Sequence, residues 1–362
     1  MTEPPEHSRD SEFAHLRRRD VLRGVAAVGS FLAADMGALL YANRWVGPAR
    51  LTPQVFIDGF TKVFGRHPGF RKNHAKGVAV AGYFNSNGDG RELSKAAVFR
   101  PGRTGVVGRF SLSGGSPRVA DAPAAVRGLG LVFGFPTAQQ WRTALLNLPV
   151  FLDNSPQGFY DRLVASAAVP GTGKPDPKAM SRFLAGHPET ARAMKIVKEQ
   201  PPTAGFADST YRGLHAFYFV NDSNRRTPVR WSLLPMQRAT PPSSGDNALF
   251  DALIHQLRSG PLHWRLILTV GAPSDPVRDA TLPWPTDRRV VDAGVLTLTS
   301  VETERRGNAR DINFDPLVLP AGIEPSDDPL LSARSAIYAA SYRRRAGGMP
   351  SRPAVDVDEV AR

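Results

Sequence analysis

In "PQVFIDGFTKVF" apolar residues return every three or four positions, behind a Thr52 suited to cap a helix and a Pro53 suited to its first turn. That spacing predicts a helix. The next segments, "GVAVAGYF", "KAAVFR", "TGVVGRFSLSGG" and "RGLGLVFGF", are apolar or alternating and bounded by Gly, Pro, Asn or Asp, which predicts strands. "NSNGDG" between the first two fits a tight reversal. A helical section is expected from "TAQQWRTALLN" through "SPQGFYDRLV" to "DPKAMSRFLAGHPETARAMKIVKEQ". "LHAFYFVNDSNRRTPVRWSLLPM" then reads as a hairpin turning at Asn-Asp-Ser-Asn. "GDNALFDALIHQLRSG" reads as a helix capped by Asp246 and closed by Gly260, and "HWRLILTVG" and "GVLTLTSVE" as two more strands. The last element, "PLLSARSAIYAASYRRRAGG", is a helix ended by Gly347. With no internal repeat and no long linker, strands, helices and strands again in one chain predict an α+β domain on a closed or strongly bent antiparallel sheet.

Three regions follow: a leader over 1–50, one domain over 51–347 and a short tail over 348–362. In the leader, "LRRRDVLR" sets Arg18 and Arg19 ahead of an apolar run from Gly24 to Ala42, the three-part pattern of a twin-arginine export signal. Export to the periplasm is the expectation. Asp35 interrupts the run and no Ala-x-Ala site follows it, so cleavage and retention as an inner-membrane anchor both stay open; the nineteen apolar-rich residues are long enough to span a bilayer.

Composition narrows the chemistry. The 362 residues contain no cysteine, which excludes disulfides, thiolate metal sites and thiol nucleophiles. The net charge of +13 could draw nucleic acid, membranes or small anions. The basic residues are dispersed, however, and no nucleic-acid-binding spacing is present.

Two stretches carry candidate chemistry. "RKNHAKG" puts His74 among basic residues where chain enters sheet; alone, such a histidine is an ordinary surface residue. On the closing helix Arg334, Tyr338, Tyr342 and Arg345 are spaced to share one face. A guanidinium one turn before a tyrosine favours the phenolate, which is a haem-iron ligand.

Together these segments resemble the haem catalases. "RKNHAKGVAVAGYF" is similar to the family's distal-histidine segment, "GRFSLSGG" to its next strand, "LLNLPVFLDN" to the segment with the distal asparagine, and "ARSAIYAASYRRRAG" to the proximal Arg-x-x-x-Tyr. "GHPET" and "HAFYFVND" also have counterparts. The matches keep the family's order from Thr52 to Gly347. The resemblance implies a catalase-like antiparallel β-barrel with surrounding helices, lacking the C-terminal helical domain and long N-terminal arm of full catalases. It implies b-type haem with Tyr338 as iron ligand, held as phenolate by Arg334. It makes His74 the distal acid/base, oriented by Ser111, with Asn147 bonding the peroxide, and pairs Arg71, Arg109 and Arg345 with the haem propionates. Phe159 or Tyr160 would line the distal pocket.

The chain also departs from the pattern: Asn73 before the histidine, Leu148 and Leu152 around the distal loop, and Tyr342 where histidine is usual. These changes look most like the catalase-related peroxidases. The implied activity is reduction of hydrogen peroxide or organic peroxides by a small organic electron donor, with weak catalase activity. An allene-oxide-synthase-like rearrangement of hydroperoxides, an exported haem-binding protein without activity and a basic surface module without haem are the alternatives. No nicotinamide site is evident. His215, His255 and His263 read as structural. The assembly stays open, a homodimer included.

Overall fold

The computed structural model describes residues 51–346, 348 and 352–360, apart from 123–124, 136, 138, 170 and 239–243. The export signal and Gly347 therefore lie outside the described residues. Residues from Thr52 onward form one compact unit.

Helix α1 (Pro53–Phe64) is capped as expected: the Thr52 hydroxyl accepts from Val55 N–H at 3.3 Å. Strands β1 (Gly77–Ser86), β2 (Gly102–Leu112), β3 (Arg127–Phe133) and β4 (Trp141–Leu146) follow as an antiparallel meander. Helices α2 (Pro156–Ala165), α3 (Pro177–Gly186) and α4 (Pro188–Lys198) precede β5 (Tyr211–Val220) and β6 (Arg226–Pro235). Then come α5 (Ala248–Ser259), β7 (Leu262–Val270), β8 (Val290–Glu302), a short β9 (Ile323–Pro325) and the long α6 (Pro329–Ala346).

The order β4-β3-β2-β1-β8-β7-β6-β5 is antiparallel throughout, and β4 meets β5 to close an eight-stranded barrel; β9 is added beside β5. The closing contact is a single register pair, Leu146 with Arg212. Inside, aromatic rings do most of the filling. Trp141 stacks on Phe133 at 5.0 Å and meets Trp231 edge-on at 5.1 Å, while Phe110 packs on Tyr211 and Trp264. Each such buried side chain contributes roughly 1.5–3 kcal/mol.

The structure corrects several expectations. "TAQQWRTALLN" is not helical: its second half is β4, with Trp141, Thr143 and Leu145 buried in alternation. "KAAVFR" forms a 3-10 turn at Ala97–Phe99 rather than a strand. The long helix after Asp176 breaks at His187 into α3 and α4, because Pro188 cannot continue the hydrogen-bond ladder. Asp246 does not cap α5. The Asp121 carboxylate does so from a distance, accepting from Leu249 and Phe250 N–H. Gly260 ends that helix as expected. The tail folds back onto the barrel: Val355 and Val357 are buried, and Val357 N–H donates to Thr303 Oγ1.

Period-two alternation positions the site. In β2 Phe110 points into the barrel, so Arg109 and Ser111 face outward. On that outer side a cavity opens beneath α1, α2 and α6.

Candidate active site

Seven of the eight residues picked from sequence line one cavity of about 290 Å³: Arg71, His74, Arg109, Ser111, Arg334, Tyr338 and Arg345. The eighth, Asn147, stands beside the cavity and not in its lining. Its side-chain carbonyl accepts from Arg127 N–H at 2.8 Å, and its neighbours Leu146 and Leu148 face the cavity instead. Phe159 is in the lining; Tyr160 packs edge-on against Phe56. Tyr342 shares the helix with Tyr338 without reaching the cavity.

His74 is held in a strained backbone. Its φ is +56°, a left-handed conformation uncommon for a residue with a Cβ. Asn73 fixes it: the Asn73 Oδ1 accepts from His74 N–H at 3.0 Å and from Gly114 N–H at 2.8 Å. The departure at position 73 therefore has a structural role. The His74 ring rests on Ser111, with Nδ1 and Oγ 3.1 Å apart. Ser111 Oγ also lies 3.5 Å from the Gly128 carbonyl, an arrangement that suits Ser111 donating there and accepting from Nδ1–H. In that tautomer Nε2 would be the free base. Burial pushes the imidazole down to about 3, and the positive charges of Arg109, Arg334 and Arg71 add to the effect, so the ring is neutral at physiological pH.

On α6, Arg334 Nη2 donates to the Tyr338 hydroxyl at 3.5 Å. The helix is anchored at its start by Asp328, which accepts from Leu330 N–H and bonds His215 Nδ1 at 2.7 Å in a buried pair. His215 thus supports the tyrosine helix from outside the cavity lining, in keeping with a structural role.

The arginine corner has a partner that sequence reasoning missed. Glu304 grips Arg109 at two points, Nε–Oε1 2.8 Å and Nη2–Oε2 2.9 Å. Arg71 Nη2 donates to the carbonyls of Ala309 and Ile312 at 3.0 Å each, and its buried Nε has no partner. Arg345 is pushed down to about 10, chiefly by burial, and stays charged. With Arg310 and its partner Asp311, four guanidinium groups face two carboxylates, an excess of two positive charges. Nothing near Arg109 in the sequence marks Glu304, which lies 195 positions away.

A barrel with a Tyr–Arg pair and a His–Ser pair facing the same cavity defines a class of haem-binding oxidoreductase folds. The comparisons agree. The pattern that defines catalases matches residues 36–247. The catalase-related peroxidase of Synechococcus elongatus is 38% identical over 88% of this chain and 96% of its own length. That of Mycolicibacterium paratuberculosis is 30% identical over 82% and 96%. The catalase of Glandirana rugosa is 26% identical over 83% of this chain and 61% of its own. Among solved structures, a bacterial catalase superposes with a TM-score of 0.68 at 22% identity, covering 83% of this chain and 62% of that one. This chain belongs to the catalase family.

Catalases bind haem, and the residues here suit it. The excess of two positive charges equals what a dicarboxylate brings, Arg71 Nε is an unused buried donor, and the Tyr338 hydroxyl in the lining is of the type that would serve as an oxygen ligand. A Cβ on Gly130 would meet the Phe314 ring at 2.9 Å, and one on Gly128 would meet His74 at 3.0 Å; the missing side chains keep this wall flat.

Proposed function

We propose that this protein is a haem peroxidase that reduces hydrogen peroxide or organic peroxides with an organic electron donor, with weak catalase activity. The observation that carries the reading is the single cavity into which Tyr338 with Arg334 and His74 with Ser111 both face. In this reading b-type haem is held by Tyr338 at its iron and by Arg71, Arg109 and Arg345 at its carboxylates; when bound it supplies the redox-active iron. His74 Nε2, neutral and free, takes the proton from one peroxide oxygen and returns it to the other, so that water or an alcohol leaves rather than an anion. Ser111 fixes the tautomer this needs. Two electrons from the donor and two protons complete the reduction of each O–O bond. The twin-arginine pattern supports export of the folded, loaded protein to the periplasm.

The test is the absorption spectrum of the haem-loaded protein before and after peroxide, for wild type, Tyr338→Phe and His74→Ala. The reading requires that Tyr338→Phe changes the ligation bands, and that His74→Ala keeps haem but loses the peroxide-induced shift. A Tyr338→Phe spectrum identical to wild type would overturn it. Turnover of an organic hydroperoxide without any donor would favour the rearrangement alternative.

A further inference from the structure

The arginine corner has a second face. Apart from the main cavity there is a small void of about 10 Å³, the space of one water molecule, bounded by Arg71, Arg345, Glu304, Arg310, Pro353 and Ala354. Arg71 and Arg345 line both spaces, so the same two guanidinium side chains meet the cavity and the C-terminal tail. Water is almost absent from this corner: Arg345 is 3% exposed and Arg310 5%. The Nε atoms of Arg71 and Arg310 are buried without a partner.

The tail is fastened beside these charges. Thr303 Oγ1 accepts from Val357 N–H at 2.8 Å and donates to Asp356 Oδ1 at 3.1 Å. The next residue, Glu304, is the one that grips Arg109. From α5, Arg258 donates Nη2 to Val357 O at 2.7 Å and Nη1 to Val360 O at 2.8 Å. Val355 and Val357 join the core of the barrel. Arg310 adds a tie of its own, donating Nη2 to Gly348 O at 2.7 Å, with Gly69 O at 3.5 Å. One guanidinium thus holds the backbone two residues before Arg71 and three after Arg345.

Burying two valines is packing. Placing Pro353 and Ala354 against a dry, positively charged corner does more. While the tail is docked, a dicarboxylate that left this corner would strand buried guanidinium groups without counter-charge, which is strongly unfavourable. Once the tail is lifted, water solvates them and departure costs less.

We propose that the tail 352–360 is a retention strap: docked on Thr303 and Arg258, it keeps water from the Arg71–Arg345 corner, and haem leaves after the strap has lifted. The proposal rests on the haem reading and adds what governs how long the group stays.

The test uses the full chain loaded with haem, as wild type and as the double variant Thr303→Val/Arg258→Met. Neither residue lines the cavity. Two rates are measured: hydrogen exchange at the Val357 amide, and transfer of haem to excess apomyoglobin, followed by absorbance. The variant is expected to lose protection at Val357 and to release haem about tenfold faster. With haem dimethyl ester, whose carboxylates are blocked, the two proteins are expected to release at equal rates. A variant with a freed tail and the wild-type rate of haem loss overturns the proposal. A tenfold difference that persists with the ester also overturns it, because the tail would then act as a steric cover. Unchanged protection at Val357 overturns the docking on Thr303 and Arg258. Should the double variant fail to fold, Arg258→Met alone repeats the comparison from an exposed position on α5. A wild type that binds no haem overturns the haem reading and the strap with it; failure of the strap alone shows in the variant, with wild type loaded.

Discussion

Glu304 and Arg109 form a two-point ion pair, with Arg109 buried and Glu304 nearly so, at the edge of the cavity. A pair in this setting is balanced: burying both charges costs about as much as their attraction returns. Removing one side is not balanced. Glu304→Ala is expected to cost about 3–5 kcal/mol, read by urea unfolding, because Arg109 would stay buried beside Arg71 and Arg345 without its counter-charge. The double variant Glu304→Leu/Arg109→Met is expected to recover most of that stability while weakening haem retention. A double variant as unstable as the single one would show that the loss is one of packing.

His74 and Ser111 act as a unit. His74→Ala is expected to lower kcat for peroxide by about 10²–10⁴, the usual share of a positioned acid/base. Ser111→Ala leaves the imidazole in place but frees its tautomer, and is expected to cost about tenfold. Stopped-flow rates with hydrogen peroxide give both numbers.

Gly128 sits on β3 opposite Ser111 and under the His74 ring. An added methyl would lie 3.0 Å from both side chains, closer than ordinary contact. Gly128→Ala is expected to cost about 1–3 kcal/mol in stability, the range for overpacking. It should reduce kcat/KM by more than that cost alone explains, because the ring it displaces is the base of the proposed mechanism.

Two buried histidines set a pH dependence. Burial lowers His74 to about 3, helped by the arginines, and lowers His215 against the opposing effect of Asp328. In the unfolded chain each titrates near ~6.5. Below that value the unfolded chain takes up protons that the folded one refuses, so stability is fully present above it and declines as pH falls. Each histidine contributes a slope of up to about 1.4 kcal/mol per pH unit. Urea unfolding at pH 7.5, 6 and 5 measures the slope, and His74→Gln is expected to flatten it.

The sequence made the strands legible where alternation was clean. "TGVVGRFSLSGG" already separates Phe110 from Arg109 and Ser111, and the structure puts them on opposite sides of β2. "TAQQWRTALLN" misled because Trp141, Ala144 and Leu145 fall at helical spacing; pairing with Phe133 and Val132 on β3 overrides it. The family resemblance named seven residues that the structure gathers in one cavity, and it did not name their partners. Glu304 and Asp121 act across more than a hundred positions, beyond the reach of any local pattern. Asn147 could not be placed from its flanking motif, since whether it faces the cavity depends on the Arg127 N–H that it accepts.

The barrel closes through one register pair, Leu146 with Arg212, while its other neighbours are laced along six or more positions. Mechanically it is a rolled sheet with a nearly open seam, and Leu146 lies on both the seam and the cavity wall. Behind the seam, Trp231 Nε1 on β6 donates to Thr143 Oγ1 on β4, a side-chain bond that reaches past the β4–β5 edge. Parting the edge there would leave the other seven strand pairings and the aromatic interior intact. Hydrogen exchange would register that asymmetry as early labelling on either side of the seam.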